Sequence, residues 1–257
     1  MAELNGRPVT LDELQTLALT NYGSFTSLRV DEGRVRGLSL HMERLVRDSR
    51  ALFGVDLDPE RMRGFIRRVA PMSGSATIRV TVFDPATDLG HPDRADDPHI
   101  LVTQRPAGVL PLPPLSVQST VYQRDLPEVK SVGLFGSLHH RRAAQLDGYD
   151  DALFVDAQGV ISEGGTWNVG FFDGDRVIWP DAEALPGVTM LLLQEVHEHR
   201  IDRVALDDLG AMQAAFATNA AIGVRGIARI DAIRFAADHQ VLDALRKDYT
   251  AVRGEPI

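Results

Sequence analysis

The amino-acid sequence predicts an α+β fold in two domains, on three observations. Helical and strand-like periodicities alternate along 257 residues that are 44% hydrophobic and 25% charged. A chain of this size can bury a full core and often divides it between two subdomains. Residues 105–114 contain four prolines, which excludes a helix or a central strand there. We therefore place a small N-terminal domain at 1–105, a linker at 106–114 and a larger C-terminal domain at 115–257.

Local patterns predict the elements of each domain in order. The N-terminal domain should contain a strand at 4–9, a helix at 11–19 with Thr10 as N-cap and Glu13 completing a capping box, a hairpin of 24–30 and 34–40, a helical segment that ends at Gly54, a helix at 59–69, and strands at 76–83 and 100–104. The C-terminal domain should contain a strand at 115–123, a helix at 133–146, hairpins of 152–155 with 160–162 and of 169–172 with 176–179, a helix from 189 toward 199, strands at 215–218 and 227–230, and a closing helix.

Composition excludes several classes of function. The net charge is −9 and the arginines are scattered, so no basic face is available for nucleic acid. The absence of cysteine removes disulfides and thiolate metal sites. No apolar run approaches the roughly 20 residues that span a bilayer, and residues 1–7 lack a signal pattern, so we expect a cytoplasmic protein without a membrane partner. The histidines at 139–140 and at 197 and 199 do not converge at helical spacing, so we expect no metal site.

Lysine usage singles out one residue. Of the 27 basic residues only Lys130 and Lys247 are lysines. Arginine stays protonated at ordinary pH, whereas a buried lysine can lose its proton and become a nucleophile that forms a Schiff base. Lys247 lies in an ordinary helical pattern, but Lys130 lies between a predicted strand and a predicted helix, where a side chain can reach a cleft.

Other residues complete a cofactor pattern around this amine. Glu163 is a carboxylate followed by two glycines, and Pro186-Gly187-Val188-Thr189 opens an apolar helix whose first amides can bind an anion. Together with Arg44 these residues suggest pyridoxal phosphate (PLP), with Lys130 as the aldimine lysine, Glu163 at the pyridine nitrogen, and the phosphate on Val188, Thr189 and Arg44.

The order of these motifs resembles the class IV aminotransferases. The matching motifs, from about Tyr22 to Phe235, are His41-x-x-Arg44-Leu45, Lys130, Asp150-Asp151-Ala152-Leu153, Asp156-x-x-Gly159-x-x-x-Glu163 with Asn168, and Leu185-Pro186-Gly187-Val188-Thr189. That family includes branched-chain and D-amino acid aminotransferases and aminodeoxychorismate lyase. The resemblance implies a two-domain fold-type IV PLP enzyme, usually a homodimer, in which Asn168 and Asn219 join the cofactor ligands and Lys130 shuttles a proton.

Four positions depart from the family pattern. Phe135 stands where a tyrosine often bonds the ring oxygen of the cofactor, and Thr26 stands where glutamate is common. Met190 replaces an arginine, and Ala220, in Thr218-Asn219-Ala220, stands where several relatives have a hydroxyl. We therefore expect phosphate binding to depend more on Arg44, Thr189 and main-chain amides.

The sequence leaves three functions open. The leading hypothesis is an aminotransferase acting on an amino acid and a 2-oxo acid. A lyase of the aminodeoxychorismate type would use the same lysine, and a degenerate scaffold would bind PLP or another phosphate ligand with little catalysis. Candidates for binding a substrate carboxylate are Phe25, Ser27, Arg36 and Arg105.

Overall fold

The computed structural model describes residues 2–257. Its helices are α1 (Leu11–Thr20), α2 (Leu38–Phe53), α3 (Pro59–Val69), α4 (Phe135–Leu146), α5 (Val188–Val196) and α6 (Gln240–Ala251). Its strands are β1 (Ala2–Leu4), β2 (Arg7–Pro8), β3 (Ser24–Asp31), β4 (Arg34–Val35), β5 (Ser75–Phe83), β6 (His99–Pro106), β7 (Leu115–Val121), β8 (Asp151–Val155), β9 (Ile161–Gly164), β10 (Asn168–Phe172), β11 (Val177–Pro180), β12 (His199–Asp202), β13 (Ala214–Asn219), β14 (Gly223–Ile230), β15 (Ile233–Arg234) and β16 (Glu255–Pro256). This composition confirms the predicted α+β class.

The chain separates into two compact units. The first comprises the stretch up to Gly108 together with Val129–Gly133 and Arg253–Ile257, and the second comprises Val109–Glu128 and Leu134–Val252. The change of unit after Gly108 falls inside the proline-rich segment 106–114. The segments Val129–Gly133 and Arg253–Ile257 have no periodicity that marks them as part of the first unit. The single domain boundary predicted at 106–114 therefore assigned both segments to the C-terminal domain.

The first unit is built on an antiparallel sheet with helices against it. Its seven strands run in the order β16-β4-β3-β5-β6-β1-β2. One face packs on α2 and α3 through a core whose fully buried members include Leu28, Leu45, Met62, Ile66 and Ile78. Since burial of each such side chain stabilises the fold by about 1.5–3 kcal/mol, this core fixes α2 against the sheet.

The second unit contains a closed ring of six strands. Within a nine-stranded sheet, β10, β13, β14, β7, β8 and β9 are paired in succession, and β9 pairs back to β10 through Asn168 and Glu163. Each of the six strands contributes to one apolar cluster, which therefore fills the ring; its members include Val117, Leu153, Ile161, Val169, Ala217 and Ile227. A barrel of this kind has few free edges and holds its rim residues rigidly.

Helices α5 and α6 cover the outside of the same strands. Phe216 points away from the ring interior into a second cluster with Trp179, Leu193 and Leu242. Its neighbour Ala217 points inward, as the two-residue period of a strand requires. Odd and even positions of β13 therefore face different environments, which decides where its last residues point.

Most predicted elements are confirmed. The single strand predicted at 4–9 is wrong, because a turn at residues 5–6 separates the antiparallel strands β1 and β2, and the prediction for residues 34–40 is wrong as well. Thr10 caps α1 and Glu13 completes the capping box, and α3 occupies 59–69. The predicted strand at 34–40 is wrong beyond Val35, because α2 begins at Leu38 after Gly37 in the left-handed conformation, with φ of 67°. The predicted helix toward residue 199 ends at Val196, and β12 starts at His199.

The packing of β13 on β10 predicts an effect of adding a methyl group at Gly170. A Cβ at this position would lie 2.4 Å from the ring of Phe216, which is fully buried. We expect Gly170→Ala to lower the free energy of unfolding by about 1–3 kcal/mol. At Gly210 a Cβ meets nothing within 4 Å, so Gly210→Ala should leave stability level or raise it by up to about 1 kcal/mol. Urea unfolding of both variants tests this, and equal midpoints would contradict it.

Candidate active site

The predicted site residues fall into two sets, one in each unit. Lys130 and Arg44 belong to the first unit. The second unit holds the other five, which are Glu163, Asn168, Val188, Thr189 and Asn219. The predicted cofactor ligands are thus distributed over both units.

Lys130 is anchored through its backbone. It lies in the loop between β7 and α4, between the strand and the helix that the sequence predicts. Its amide N–H donates to Asp48 Oδ2 at 3.0 Å, and its carbonyl accepts from the N–H of Phe25 at 2.9 Å. Its Nζ lies 4.8 Å from the centroid of the Phe25 ring. Two backbone bonds and a ring contact therefore hold this half-buried lysine in place.

Helix α2 presents a buried polar stripe toward this loop. His41, Arg44 and Asp48 share one helical face at spacings of three and four residues, and all three are buried. Arg44 donates from a terminal nitrogen to Thr26 Oγ1 and lies 3.3 Å from His41 Nδ1. Its Nε has no partner within the described chain. Arg44 Nε is thus a buried donor without a partner among the described residues.

The network around Arg44 fixes the tautomer of His41. Thr26 Oγ1 accepts from Arg44, so its own hydrogen is available to His41 Nδ1 at 2.7 Å, and Nε2 carries the ring proton. Burial, followed by the charges of Arg44 and Lys130, lowers the pKa of His41 well below its ordinary value. Burial also lowers the pKa of the Arg44 guanidinium to about 10. Thr26, where the family commonly has glutamate, thus serves as a neutral link between these two residues.

Glu163 is held by two donors from different segments. Its Oε1 accepts from Arg124 Nε at 2.8 Å, and its Oε2 accepts from the N–H of Leu185 at 3.3 Å. The residue is 6% exposed. Sequence reasoning missed Arg124, because an arginine in the loop after a strand carries no local signal.

The start of α5 has the features of an anion-binding site. The helix has no side-chain cap, so the N–H groups of its first turn, including those of Val188 and Thr189, lack intrahelical partners. Thr189 is 1% exposed, and its hydroxyl has no partner among the described residues. Gly187 precedes the helix, where a Cβ would lie 2.0 Å from Asn168 Oδ1. Glycine is therefore required for the backbone to approach Asn168.

A second hydroxyl without a partner belongs to Thr218, which lies opposite Asn168. Asn168 Nδ2 donates to the carbonyl of Leu185 at 2.7 Å, which fixes the turn before α5. Asn168 lies directly opposite Thr218 in the β10–β13 ladder, so both side chains project from the same face. Thr218 also shares the outer face of β13 with Phe216, which packs with α5. The Thr218 hydroxyl, 1% exposed, has no partner in the part of the chain that the structure describes.

Asn219 uses its side chain within the protein. Its Oδ1 accepts from the N–H groups of Ala221 and Ile222, and its Nδ2 donates to the carbonyl of Thr166 at 3.1 Å. The amide therefore fixes the turn after β13. In Thr218-Asn219-Ala220 we predicted Asn219 as the ligand, whereas the hydroxyl without a partner belongs to Thr218.

Two of the family departures have simple structural consequences. Phe135 begins α4, is 83% exposed and stacks on His139 with ring centroids 5.9 Å apart. Met190 packs against the outer apolar cluster that contains Trp179. Both positions thus make apolar contacts, and neither offers a hydrogen bond from its side chain.

Residues 2–257 lack two features, a metal-binding group of side chains and a membrane-spanning helix. They contain no group of three or more histidines, aspartates or glutamates arranged to bind a metal ion. No helix among them combines the length and apolar composition needed to cross a bilayer.

Neutral His41 should make stability depend on pH in one direction. Because its pKa is lowered in the folded chain, the unfolded chain binds a proton below about pH 6.5 that the folded chain does not. Stability should therefore fall as the pH is lowered from 7.5 to 5.5, by up to about 1.4 kcal/mol per pH unit from this group. We expect His41→Gln to flatten that slope and His91→Gln, at an exposed position, to keep it. Urea unfolding at several pH values measures both slopes, and equal slopes would refute the neutral state of His41.

Comparisons with known proteins place these residues in a family. A probable branched-chain-amino-acid aminotransferase of Rickettsia felis is 35% identical over 120 residues, which is 42% of this chain and 41% of that protein. In this alignment the chain spans less than half of its relative's length. The corresponding protein of Rickettsia typhi is 25% identical over 250 residues, covering 89% of this chain and 86% of its own.

A solved structure has the same fold. The branched-chain aminotransferase of the thermophilic archaeon Thermoproteus uzoniensis, crystallised with norvaline, superposes with a TM-score of 0.83 at 19% identity, covering 97% of this chain and 93% of that one. The fold is thus fold-type IV, as the resemblance implied. The family model for amino-transferase class IV matches residues 23–230, which is most of the chain. The chain therefore belongs to the class IV aminotransferase family.

Proposed function

We propose that the chain is a PLP-dependent aminotransferase that moves an amino group between an amino acid and a 2-oxo acid. The observation that carries the proposal is the pair of buried hydroxyls, Thr189 and Thr218, that have no partner beside the uncapped start of α5. Membership of the class IV family supports it.

These hydroxyls fit a phosphate group. A buried polar group without a hydrogen bond costs about 1–3 kcal/mol, so each of these two hydroxyls fits an acceptor that a ligand supplies. A phosphate monoester supplies several acceptor oxygens and is favoured at the positive end of a helix.

Each predicted residue has a task in holding the cofactor. Val188 and Thr189 would bind the phosphate through their amides and the Thr189 hydroxyl, and Arg44 would contribute its guanidinium. Asn168 would keep the turn before α5 in place, while Asn219 would orient the end of β13. When bound, PLP supplies an electron sink for charge that develops on the α-carbon of the substrate.

Lys130 and Glu163 perform the acid–base work. Lys130 Nζ, as a neutral amine, would take the proton from the α-carbon of the substrate and later return one. The Glu163 carboxylate would accept a hydrogen bond from the ring nitrogen and keep that nitrogen protonated. The backbone bonds of Lys130 to Asp48 and Phe25 keep its side chain in position for repeated transfers.

A substrate carboxylate has a candidate partner in Arg79. Its guanidinium lies 3.6 Å from the centroid of the Phe25 ring, the same ring that Lys130 contacts. Arg79 Nε donates to the Thr81 hydroxyl, and burial lowers the pKa of the Arg79 guanidinium. Arg36, a predicted candidate, instead forms an ion pair with Asp31 at 3.6 Å. Arg79 is thus better placed than Arg36 to receive an amino or 2-oxo acid.

The homodimer and the cytoplasmic location remain predictions.

The cofactor can be tested by its absorption. We expect protein supplied with PLP to show a visible band that borohydride abolishes, with peptide mapping placing the reduced pyridoxyl adduct on Lys130. Lys130→Ala should lose both, and Lys247→Ala, the matched control at the only other lysine, should keep both.

Three results would separate the alternatives. Absence of the band, or an adduct on Lys247, would refute the enzyme and favour a degenerate scaffold. A new amino acid formed from a 2-oxo acid supports transamination. Release of pyruvate together with an aromatic amine would instead identify a lyase.

The phosphate cradle can be tested with an isosteric substitution. Thr218→Val removes a buried hydroxyl that lacks a partner, so we expect the cofactor-free protein to gain up to about 1 kcal/mol of stability. The dissociation constant for PLP should rise about tenfold, and that for pyridoxal, which lacks the phosphate, should stay constant. Thr189→Val should behave in the same way. Equal losses of PLP and pyridoxal binding would place these hydroxyls away from the phosphate.

A further inference from the structure

The loop between β7 and Lys130 contains an arginine that the reaction outlined above does not use. Arg124 Nε donates to Glu163 Oε1 at 2.8 Å, and a terminal nitrogen of the same side chain donates to the carbonyl of Pro127. The two charged side chains are 15% and 8% exposed. This is therefore a largely desolvated ion pair, in which loss of one partner has a larger effect than at the surface.

The contact fixes the direction of the Glu163 carboxylate. Arg124 holds one oxygen and the N–H of Leu185 holds the other, and these donors come from two different segments of the second unit. The carboxylate cannot rotate without breaking one of the two bonds. Each oxygen retains a lone pair for one further donor.

Two other ionisable groups of the second unit, Arg141 and Tyr122, have different partners or interact with Glu163 only electrostatically. Arg141 forms a bidentate pair with Asp151, with distances of 2.9 and 2.8 Å. Tyr122 interacts electrostatically with Arg124, Glu163 and Asp125, and burial raises its pKa. Arg124 contacts Glu163 directly, through the bond from its Nε to Oε1.

We propose that Arg124 is a positioning residue for Glu163: it orients the carboxylate toward the ring nitrogen of PLP and offsets part of its negative charge. The inference rests on the proposed function, since it assigns Glu163 to that nitrogen. A carboxylate shared with a guanidinium attracts the proton of the ring nitrogen less strongly than a lone carboxylate would. Arg124 therefore sets how electron-deficient the bound ring is.

The sign of the effect distinguishes this role from a structural one. Replacing Arg124 with a neutral side chain removes a positive charge near the cofactor ring. The proton whose loss changes the visible band is then held more tightly. The pH midpoint at which the visible band changes should then move upward. Glu163→Gln removes a negative charge and should move the midpoint downward. At an effective dielectric constant of about 20, a unit charge roughly 10 Å away shifts such a midpoint by on the order of one pH unit.

The experiment is a spectrophotometric pH titration of the PLP-loaded protein and four variants. We expect Arg124→Met to raise the midpoint, Glu163→Gln to lower it, and Arg124→Lys, which keeps the charge, to stay within a few tenths of a unit of the wild type. Arg176→Met, at a half-exposed arginine paired with Glu198, is the control and should not move it. If Arg124→Met does not fold, Arg124→Gln takes its place.

Each outcome has one meaning. An unchanged midpoint in Arg124→Met, a shift equal to that of Arg176→Met, or a shift in Arg124→Lys as large as in Arg124→Met would overturn the positioning role. A wild-type protein that shows no visible band would overturn the proposed function itself, which separates the two failures.

Discussion

The second unit depends on one backbone pairing, between Asn168 and Glu163. This pair closes β10 onto β9 and turns an open sheet into a ring around a single apolar core. The same two residues carry the side chains that organise the site: Asn168 binds the carbonyl of Leu185, and Glu163 accepts from Arg124. The constraint that makes the barrel rigid therefore also fixes the turn before α5 and the carboxylate. The side chains of the candidate site in this unit are therefore held by the same contacts that close the barrel.

Local chemistry made several elements predictable from the sequence. The capping box of Thr10 and Glu13 and the apolar periodicity of α3 both act within a few residues, and both predictions are confirmed. The family, too, could be inferred from the sequence, because its motifs are short and occur in a fixed order. The scarcity of lysine drew attention to Lys130, because a buried lysine, unlike arginine, can act as a nucleophile.

Long-range contacts account for what the sequence did not predict. The resemblance implied Asn219 as a cofactor ligand, and the structure adds that its side-chain amide bonds within its own turn. The β-ladder places Thr218 opposite Asn168, on the face of β13 that packs with α5. Arg124 pairs with a carboxylate 39 positions away, which no local pattern reveals. The strand predicted at 34–40 failed because Gly37 adopts the left-handed conformation and lets α2 begin at Leu38. In each case tertiary geometry decides between locally acceptable alternatives.

The first unit is discontinuous in sequence, and this affects the order in which it can form. Its sheet is completed by β16, whose neighbour Ile257 packs against the core and whose Glu255 accepts from the N–H of Ser39. During translation, β4 therefore remains an open edge while the whole second unit leaves the ribosome. That edge is only two residues long, which limits the surface available for pairing with another nascent chain. The first unit is thus the first to be synthesised, and its sheet is the last to be completed.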